Sequence, residues 1–449
     1  MKAAKNDLLA DNVTKSMLLF AAPMILGNLL QQFYNIADTL IVGKFLGSDA
    51  LAAVGSSYTL MTFLTSIILG LCMGSGAVFS ILYGAKKEDD MKTSFYVSFL
   101  FIFLITLLIN GTVLCLIRPI LTLLRIPADI FAETQSYLQV IFYGIGFTFL
   151  YNYFACLLRA LGNSLVPLIF LGTAALINIG LDLLFVIVFH WGVAGAAWAT
   201  ITAQGFSAFG ILFYSLLRVP ELKLQKKHRS VRASVLKNIS QYSLITCLQQ
   251  SIMNFGILMI QGLVNSFGVS VMAAFAAAVK IDSFAYMPVQ DFGNAFSTFI
   301  AQNYGARQTA RIREGIRSAI RSAFIFCLVI SAVVCLFAPA LMRIFVQPHE
   351  TEVIAIGVQY LRIEGACYCG IGCLFLLYGL YRGMDRPGMS VILTVISLGT
   401  RVLLAYLLAP IPAIGLPGIW WAIPIGWFLA DAAGLLYYRH LQKRLKLFR

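Results

Sequence analysis

Three polar side chains share one face of the first long apolar stretch of the chain. Gln31, Tyr34 and Asp38 are spaced three and four positions apart, so on a helix they follow one side. A carboxylate near the centre of a bilayer costs about 3 kcal/mol or more on insertion scales, and ionisable groups kept there usually have a function. Asp38 is therefore a candidate proton- or ion-binding residue, and Pro23 earlier in the same stretch is expected to kink its helix.

A second carboxylate with similar surroundings appears later in the first half. Asn178 and Asp182 lie four positions apart, so one helix face presents an amide and a carboxylate. Thr200 and Gln204 follow one turn apart in the next stretch, and Asn152 in the preceding stretch is a weaker candidate for the same network. Two buried carboxyl groups close together favour proton uptake and titrate as a pair. Carboxylate, amide and hydroxyl oxygens also suit sodium, so proton and sodium sites both stay open.

The second half of the chain carries its own charges inside apolar stretches. They are Lys280, Asp282, Asp291, Glu364 and Arg401. One interpretation is a structural cluster in which Lys280 pairs with Asp282 or Asp291, with Arg401 and Glu364 as a further pair. The other interpretation is a second site for protons or substrate contact.

These charges are exceptions in a very apolar chain. Of its 449 residues 60% are hydrophobic and 12% are charged, and the mean hydropathy is +0.85. A helical span needs about 20 apolar residues, whereas barrel strands would show alternation over about 10 residues. The sequence therefore predicts an all-α integral membrane protein with twelve transmembrane helices. Their approximate cores are 17–40, 52–80, 95–117, 136–158, 166–189, 194–217, 242–264, 271–300, 320–341, 354–380, 389–408 and 418–438.

The distribution of lysine and arginine predicts the orientation. With the N-terminus in the cytoplasm and the spans alternating, 26 of the 33 basic residues fall in cytoplasmic segments and four in outer loops. Both termini are then cytoplasmic, and the net charge of +14 reflects membrane topology instead of nucleic-acid binding. Cys367, Cys369 and Cys373 cluster inside an apolar stretch and are expected to be packing residues, not metal ligands.

The two halves of the chain repeat each other at an offset of 221 to 223 positions, which indicates duplication. Each half has an even number of spans, so the two six-helix bundles share an orientation and are related by a pseudo-two-fold axis along the membrane normal. The predicted domains are an N-terminal lobe at 1–217, a cytoplasmic inter-lobe loop at 218–240 and a C-terminal lobe at 241–449. The matching pairs are Gly47 and Gly268, Tyr83 and Tyr304, Arg159 and Arg382, and the GxxGxxWA motifs that begin at Gly192 and Gly415.

With these features together, the sequence resembles the multidrug and toxic compound extrusion (MATE) family along essentially its whole length. The resemblance is carried by the ALAAVG segment from Ala50 to Gly55, the YGA motifs at Tyr83 and Tyr304, and the LRALGNS turn that begins at Leu158. It implies a secondary active multidrug efflux transporter that exchanges organic, often cationic, compounds for H+ or Na+ by alternating access of V-shaped lobes. It implies no cofactor and no enzyme activity.

The resemblance also implies roles for particular residues. The family's N-lobe cation or proton site uses the residue types found at Asp38, Asn178, Asp182 and Thr200, and Tyr34 matches the tyrosine beside the first-helix aspartate. Some members carry a C-lobe carboxylate on the seventh helix, whereas the stretch 242–264 has none, which argues against a sodium site of that kind.

Three other functions are weighed against this interpretation. A lipid or lipid-linked oligosaccharide flippase of the same superfamily would have an arginine-rich cavity, whereas the first half here is acidic. A membrane-embedded enzyme would need a metal cluster or nucleophile motif, and a channel would need a repeated filter-like loop; the sequence shows neither. The expected partners are small organic cations or drugs and the lipid bilayer, without nucleic acid, for a monomer in the plasma (inner) membrane of a bacterium.

Overall fold

The computed structural model describes residues 7–124 and 126–445, which are helical over most of their length. Ten of the described helices are long and apolar enough to cross a membrane, and two further spans each consist of two shorter helices that bend by 45° and 53°. The predicted all-α architecture with twelve spans is confirmed. Lys2, Lys5, Arg125, Lys446 and Arg449, which contribute to the predicted orientation, lie outside the described residues.

The first repeat contains eight helices, of which α4 is too short to span a membrane. They are α1 Val13–Leu46, α2 Ser48–Gly84, α3 Glu88–Cys115, α4 Ile117–Leu123, α5 Ala128–Tyr143, α6 Ile145–Ala160, α7 Leu165–Asp182 and α8 Gly192–Arg218. A π-helical segment, Leu183–Val188, continues α7.

The second repeat contains seven helices. They are α9 Ala233–Asn265, α10 Val269–Gly305, α11 Thr309–Phe345, α12 Thr351–Ala366, α13 Tyr368–Gly383, α14 Pro387–Leu408 and α15 Gly415–Leu445. Because α9 is already helical from Ala233, the connection between the repeats is shorter than the predicted loop at 218–240. Two 3-10 turns, Pro220–Leu222 and Lys226–His228, lie within this connection.

Contacts with α3 hold the connection in place. Asp89 near the start of α3 accepts a hydrogen bond from Lys227 Nζ at 2.7 Å and lies 2.8 Å from His228 Nε2. The His228 ring is buried, and its Nδ1 accepts the backbone N–H of Gln225 at 3.0 Å. Since Nδ1 is an acceptor, Nε2 carries the proton that is donated to Asp89.

The fourth and tenth spans, predicted as single stretches at 136–158 and 354–380, are broken helices. The breaks fall at Gly144 and Cys367, whose backbone N–H groups bond to Ile141 O at 3.0 Å and Glu364 O at 2.9 Å. These short-range bonds satisfy backbone groups that a bend would otherwise leave without partners. At Gly144 a Cβ atom would lie 2.4 Å from Ile201 Cγ2, so only glycine lets α8 approach the bend so closely.

The repeat inferred from the sequence is visible in the backbone. Helices α2 and α10 each have 37 residues, and α5, α6, α12 and α13 each have 16. Gly47 and Gly268 precede α2 and α10 with φ of 91° and 103°, and Lys86 and Arg307 follow these helices, each with φ of 56°. Positive φ is unfavourable for lysine and arginine, so its recurrence at equivalent positions supports duplication.

Contacts divide the described chain into two compact units whose membership differs from the sequence halves. The first unit contains Leu26–Cys247, and the second contains Asp7–Ile25 and the chain from Leu248 to residue 445. The start of α1 thus belongs to the unit built mainly from the second repeat, and the start of α9 belongs to the unit built from the first. The lobes expected at 1–217 and 241–449 differ from these units in both segments, because α1 and α9 are single helices of 34 and 33 residues with each end packed in a different unit.

Specific contacts hold both exchanged segments. In the second unit, Arg311 donates from its guanidinium to Leu8 O at 3.0 Å, and the hydroxyl oxygens of Thr14 and Ser318 lie 2.7 Å apart. In the first unit, the hydroxyl oxygens of Ser75 on α2 and Ser243 on α9 lie 2.9 Å apart. These buried or partly buried polar contacts fix where each segment packs.

Candidate functional site

Asp38 on α1 and Asp182 at the end of α7 come together inside the first unit. Asp38 is 9% exposed and Asp182 is fully buried, and their carboxyl groups interact with each other. Among the described residues, no lysine, arginine or histidine interacts electrostatically with either carboxyl group. The Asp38–Asp182 pair is therefore a buried acidic pair without a built-in counter-ion.

The helix changes from α to π geometry immediately after Asp182. The π-helical segment covers Leu183–Val188 and ends with the N–H of Phe189 bonded to Leu184 O at 2.9 Å. Single π turns inside α-helices occur frequently at functional sites. Asp182 thus lies at an irregularity of its span and not within a uniform helix.

Asn178 and Thr200 complete the predicted group of four residues. Asn178 is 2% exposed, and its amide donates to Thr200 Oγ1 at 3.5 Å. The Thr200 hydroxyl in turn donates to Ala196 O one turn earlier in α8, at 3.1 Å. Helices α1, α7 and α8 therefore place the four predicted side chains in one region of the first unit.

Four oxygen atoms at this place are buried without a hydrogen-bond partner among the described residues. They are Asp38 Oδ1, Asn178 Oδ1, Asp182 Oδ1 and Asp182 Oδ2. A buried polar group without a partner costs about 1–3 kcal/mol, and a charged one costs more. The arrangement therefore has the capacity to bind a proton or a hard cation through oxygen atoms alone.

Two tyrosines border the acidic pair. Tyr34 lies one turn before Asp38 and interacts with both carboxyl groups. Its hydroxyl also shares a hydrogen bond with the side chain of Gln31, which is exposed. Tyr137 on α5 is 3% exposed and also faces Asp38 and Asp182. Tyr137 was not predicted, although one signal for it exists: Tyr360 occupies the equivalent position 223 residues later.

Asn152 and Gln204 form a separate polar group. Thr148 on α6 donates its hydroxyl to Gln204 Oε1 at 2.9 Å, and the Asn152 amide donates to Thr148 O at 2.8 Å. Among the described residues, no hydrogen bond joins either side chain to the carboxyl groups of Asp38 and Asp182. The predicted inclusion of Asn152 and Gln204 in the network around the Asp38–Asp182 pair is therefore not supported by these hydrogen bonds.

The second unit contains another buried carboxyl pair, formed by Asp282 on α10 and Glu364 on α12. They are 6% and 1% exposed, and each interacts with the other and with Arg401 on α14. Tyr368 donates its hydroxyl to Asp282 Oδ1 at 2.7 Å, and Tyr360 lies beside both carboxyl groups. We call these five residues the second carboxyl site.

Lys280 and Asp291 do not join this site. The Lys280 side chain is exposed, and no ion pair within 4 Å links it to Asp282 or Asp291 in the described part of the chain. Asp291 is buried nine residues further along α10. The expected ion pair of Lys280 is therefore not found in the described part of the chain, and Asp282 instead accepts a hydrogen bond from Tyr368.

Asp431 on α15 is a further buried carboxylate, and its role was not predicted from the sequence. It is 6% exposed, contacts Cys373 and has one oxygen, Oδ1, without a hydrogen-bond partner among the described residues. Cys367, Cys369 and Cys373 are partly buried and pack against the hydrophobic core of the second unit, in agreement with their expected packing role.

Comparison with known proteins identifies the family. The MatE family model matches residues 23–184 and 242–407, which cover most of both repeats. The probable multidrug resistance protein YpnP of Bacillus subtilis is 32% identical over 98% of both chains. YoeA of the same organism is 27% identical over 98% of this chain and 96% of its own, and the probable multidrug resistance protein NorM of Thermotoga maritima is 25% identical over 91% and 88%.

Solved structures show the same fold. A MOP superfamily transporter from Pyrococcus furiosus, described as having a binding pocket of reverse polarity, superposes with a TM-score of 0.93 at 23% identity over 99% of both chains. An outward-facing multidrug resistance MATE family transporter superposes with a TM-score of 0.92 at 23% identity over the full length of both. Together with the matched family model and the 32% identical relative, the fold shows that this chain is a multi-pass membrane protein that belongs to the MatE family of transporters.

Proposed function

We propose that this protein is a secondary active multidrug exporter that exchanges organic, often cationic, compounds for protons or sodium ions. The relatives that match it along nearly its whole length are named multidrug resistance proteins, which supports drugs as substrates. The observation that carries the exchange mechanism is the Asp38–Asp182 pair, buried with unpartnered oxygen atoms and without a basic neighbour among the described residues.

The charge of this pair provides a mechanism for exchange. Two adjacent buried carboxyl groups hold one proton between them readily, because both cannot remain ionised at close range. One negative charge is then left in an apolar bundle, where an unmatched charge is very costly. A second proton, a sodium ion or an organic cation can each neutralise it, so binding of one displaces another.

Exclusive occupation of one site is the basis of antiport. If the coupling ion and the drug compete for the same charge, binding of one weakens binding of the other. The coupling free energy between the two binding events then drives release. The acidic character of this site favours cationic substrates over the phosphate-bearing substrates of a lipid flippase. We further propose that the protein acts as a monomer in the plasma membrane, with both termini in the cytoplasm as the lysine and arginine distribution predicts.

The test is efflux of ethidium from proteoliposomes under an imposed proton gradient and, separately, a sodium gradient. We expect wild-type protein to transport ethidium with one or both gradients, and Asp38→Asn, Asp182→Asn and the double variant to lose gradient-driven transport while remaining folded. Asp129→Asn is a matched control, because Asp129 is an exposed carboxylate in the first turn of α5. The gradient that drives transport identifies the coupling ion.

Two results would contradict this proposal. Wild-type rates in the double variant would show that the pair does not couple transport. Absence of ethidium transport, and of other organic cations, under both gradients would instead favour the flippase, and lipid-linked substrates would then be tested in the same vesicles.

A further inference from the structure

We propose that Arg401 is the built-in cation of the second carboxyl site, so that this site holds a single proton and takes up neither sodium nor an organic cation. The assignment of Arg401 concerns the second unit alone, and only the comparison with the first unit rests on the proposed function. It predicts that one arginine decides which of two buried acidic sites can bind a cation.

The two carboxyl groups account for the proton. Asp282 and Glu364 are neighbours at 6% and 1% exposure, so they cannot both be ionised without strong repulsion in a low-dielectric interior. The Tyr368 hydroxyl, 2.7 Å from Asp282 Oδ1, stabilises a carboxylate at Asp282 by donating to it. The pair then retains one proton and one negative charge.

Arg401 accounts for the remaining charge. Its side chain comes from α14 and acts electrostatically on both Asp282 and Glu364, although no ion pair within 4 Å joins it to either carboxyl group among the described residues. Arg401 Nε and Glu364 Oε1 are buried without hydrogen-bond partners in the described part of the chain, so neither atom is bonded to another group there. Arginine remains charged in proteins, and a positive charge beside one carboxylate makes the site neutral with one proton bound.

The internal repeat relates two residues of the second carboxyl site to two residues beside the Asp38–Asp182 pair. Tyr360 of the second site and Tyr137 beside the Asp38–Asp182 pair are 223 positions apart. Arg401 has the same offset from Asn178. Where the first unit offers a neutral amide to a bound ion, the second unit therefore presents a permanent cation.

The carboxyl groups of the two sites do not share this equivalence. Positions 221 and 223 residues before Asp282 and Glu364 hold Met61 and Ile141, both apolar. Each site thus has its own acidic residues, and only the second combines them with a basic residue. With one proton bound, the first site has a net charge of −1 and the second site is neutral, which confines cation exchange to the first unit.

The test measures binding of radioactive sodium to purified protein in which Asp38→Asn and Asp182→Asn remove the first site. We expect this parent protein to show no saturable sodium binding. Arg401→Gln in the same background should gain saturable binding at least about tenfold above the parent's background, and a further Glu364→Gln change should abolish it. Arg401→Lys, which keeps the charge, is expected to behave as the parent. Arg362→Gln is the control, since Arg362 lies exposed on α12 outside the second site.

The reciprocal variant tests the same rule in the first unit. Asn178→Arg in the otherwise unchanged protein is expected to lose ethidium binding, measured by fluorescence anisotropy, although both aspartates are still present. Saturable sodium binding to the parent protein, or sodium binding in Arg401→Gln no stronger than in Arg362→Gln, would overturn the proposal. Should Arg401→Gln fail to fold, Arg401→Met replaces it, and sodium binding in that variant no stronger than in Arg362→Gln would overturn the proposal as well. Failure of ethidium transport in the wild type would contradict the proposed export and would leave the sodium results on the second unit valid.

Discussion

Asp182 has a fully buried carboxyl group in the first unit. Neither of its oxygens has a hydrogen-bond partner among the described residues, and its interacting neighbour is another acid, Asp38. A carboxyl group in such surroundings is stable only when a proton or a cation matches its charge. At the scale of the single residue, the chemistry of transport therefore depends on what occupies the space beside Asp182.

Thr200 positions the amide that faces this space. Thr200→Val removes the hydroxyl that accepts from Asn178, and we expect the initial rate of gradient-driven ethidium efflux to fall about fivefold, in line with about 1 kcal/mol for one hydrogen bond. The thermal unfolding temperature should change little. Thr134→Val is the control, because Thr134 is also buried in the first unit and also donates to the carbonyl four residues earlier. An equal fall of the rate in both variants would contradict a positioning role for Thr200.

Single residues were predictable from the sequence where their spacing placed them on one helix face. Asp38 and the Asn178–Asp182 pair stand out because polar side chains are rare inside apolar stretches. Tyr137 and Asp431 were missed for different reasons. A tyrosine in an apolar stretch is equally compatible with a lipid-facing position, and the side on which a lone aspartate lies is decided by contacts with distant helices that no local pattern contains.

At the scale of helices, two glycines set the contact between α2 and the start of α9. A Cβ atom at Gly70 would lie 2.6 Å from Cys247 Cα, and one at Gly74 would lie 2.4 Å from Tyr242 O. Small residues four positions apart allow the backbones of membrane helices to approach closely, where dispersion contacts replace the missing hydrophobic driving force. This close contact, the Ser75–Ser243 contact and the burial of Ile239 and Tyr242 together hold the start of α9 in the first unit.

Gly74→Val places a branched side chain against the backbone of α9, which cannot move aside without separating the helices. We expect a destabilisation of about 1–3 kcal/mol or more, measured as a lower unfolding temperature in detergent and a smaller monodisperse fraction. Gly111→Val serves as the control, since a Cβ at Gly111 on α3 would meet no atom within 4 Å. Equal stability of the two variants would show that the close approach is not important for packing.

The breaks in the fourth and tenth spans are the features of the helices that the sequence did not predict. Hydropathy gives the length of an apolar stretch, and both stretches were long enough for one straight helix. At Gly144 the break coincides with the close approach of Ile201, a residue distant in the chain whose contact hydropathy does not reveal. The number and order of spans were predictable because each depends only on local apolar length.

At the scale of the whole molecule, the repeat was visible from the sequence, but the membership of the two units was not. The offset of 221 to 223 positions follows from matching motifs alone. The exchange of helix starts depends on contacts between segments far apart in the chain, such as Arg311 with Leu8. Each unit is therefore complete only when the other repeat supplies its segment.

Division of the chain in the connection between the repeats tests this exchange. Fragments 1–230 and 231–449, cut before α9, should each be unstable when expressed alone, because each lacks a segment that completes its unit. Co-expressed fragments should associate and recover ethidium efflux. Monodisperse, thermally stable protein from either fragment alone would argue that the exchanged segments contribute little, and uncut protein made in parallel gives the reference rate.

The starts of α1 and α9 each pack in the unit built mainly from the other repeat, so the two units are completed in a fixed order during biosynthesis. The ribosome makes the start of α1 first, yet the neighbours of residues 7–25 are in the unit whose remaining residues begin at Leu248 and are made last. The first unit, in contrast, has all its described segments once residue 247 has left the ribosome. The start of α1, although made before the other described helices, is thus among the last segments to reach its native packing. In the interval its apolar face is covered by lipid or by the insertion machinery.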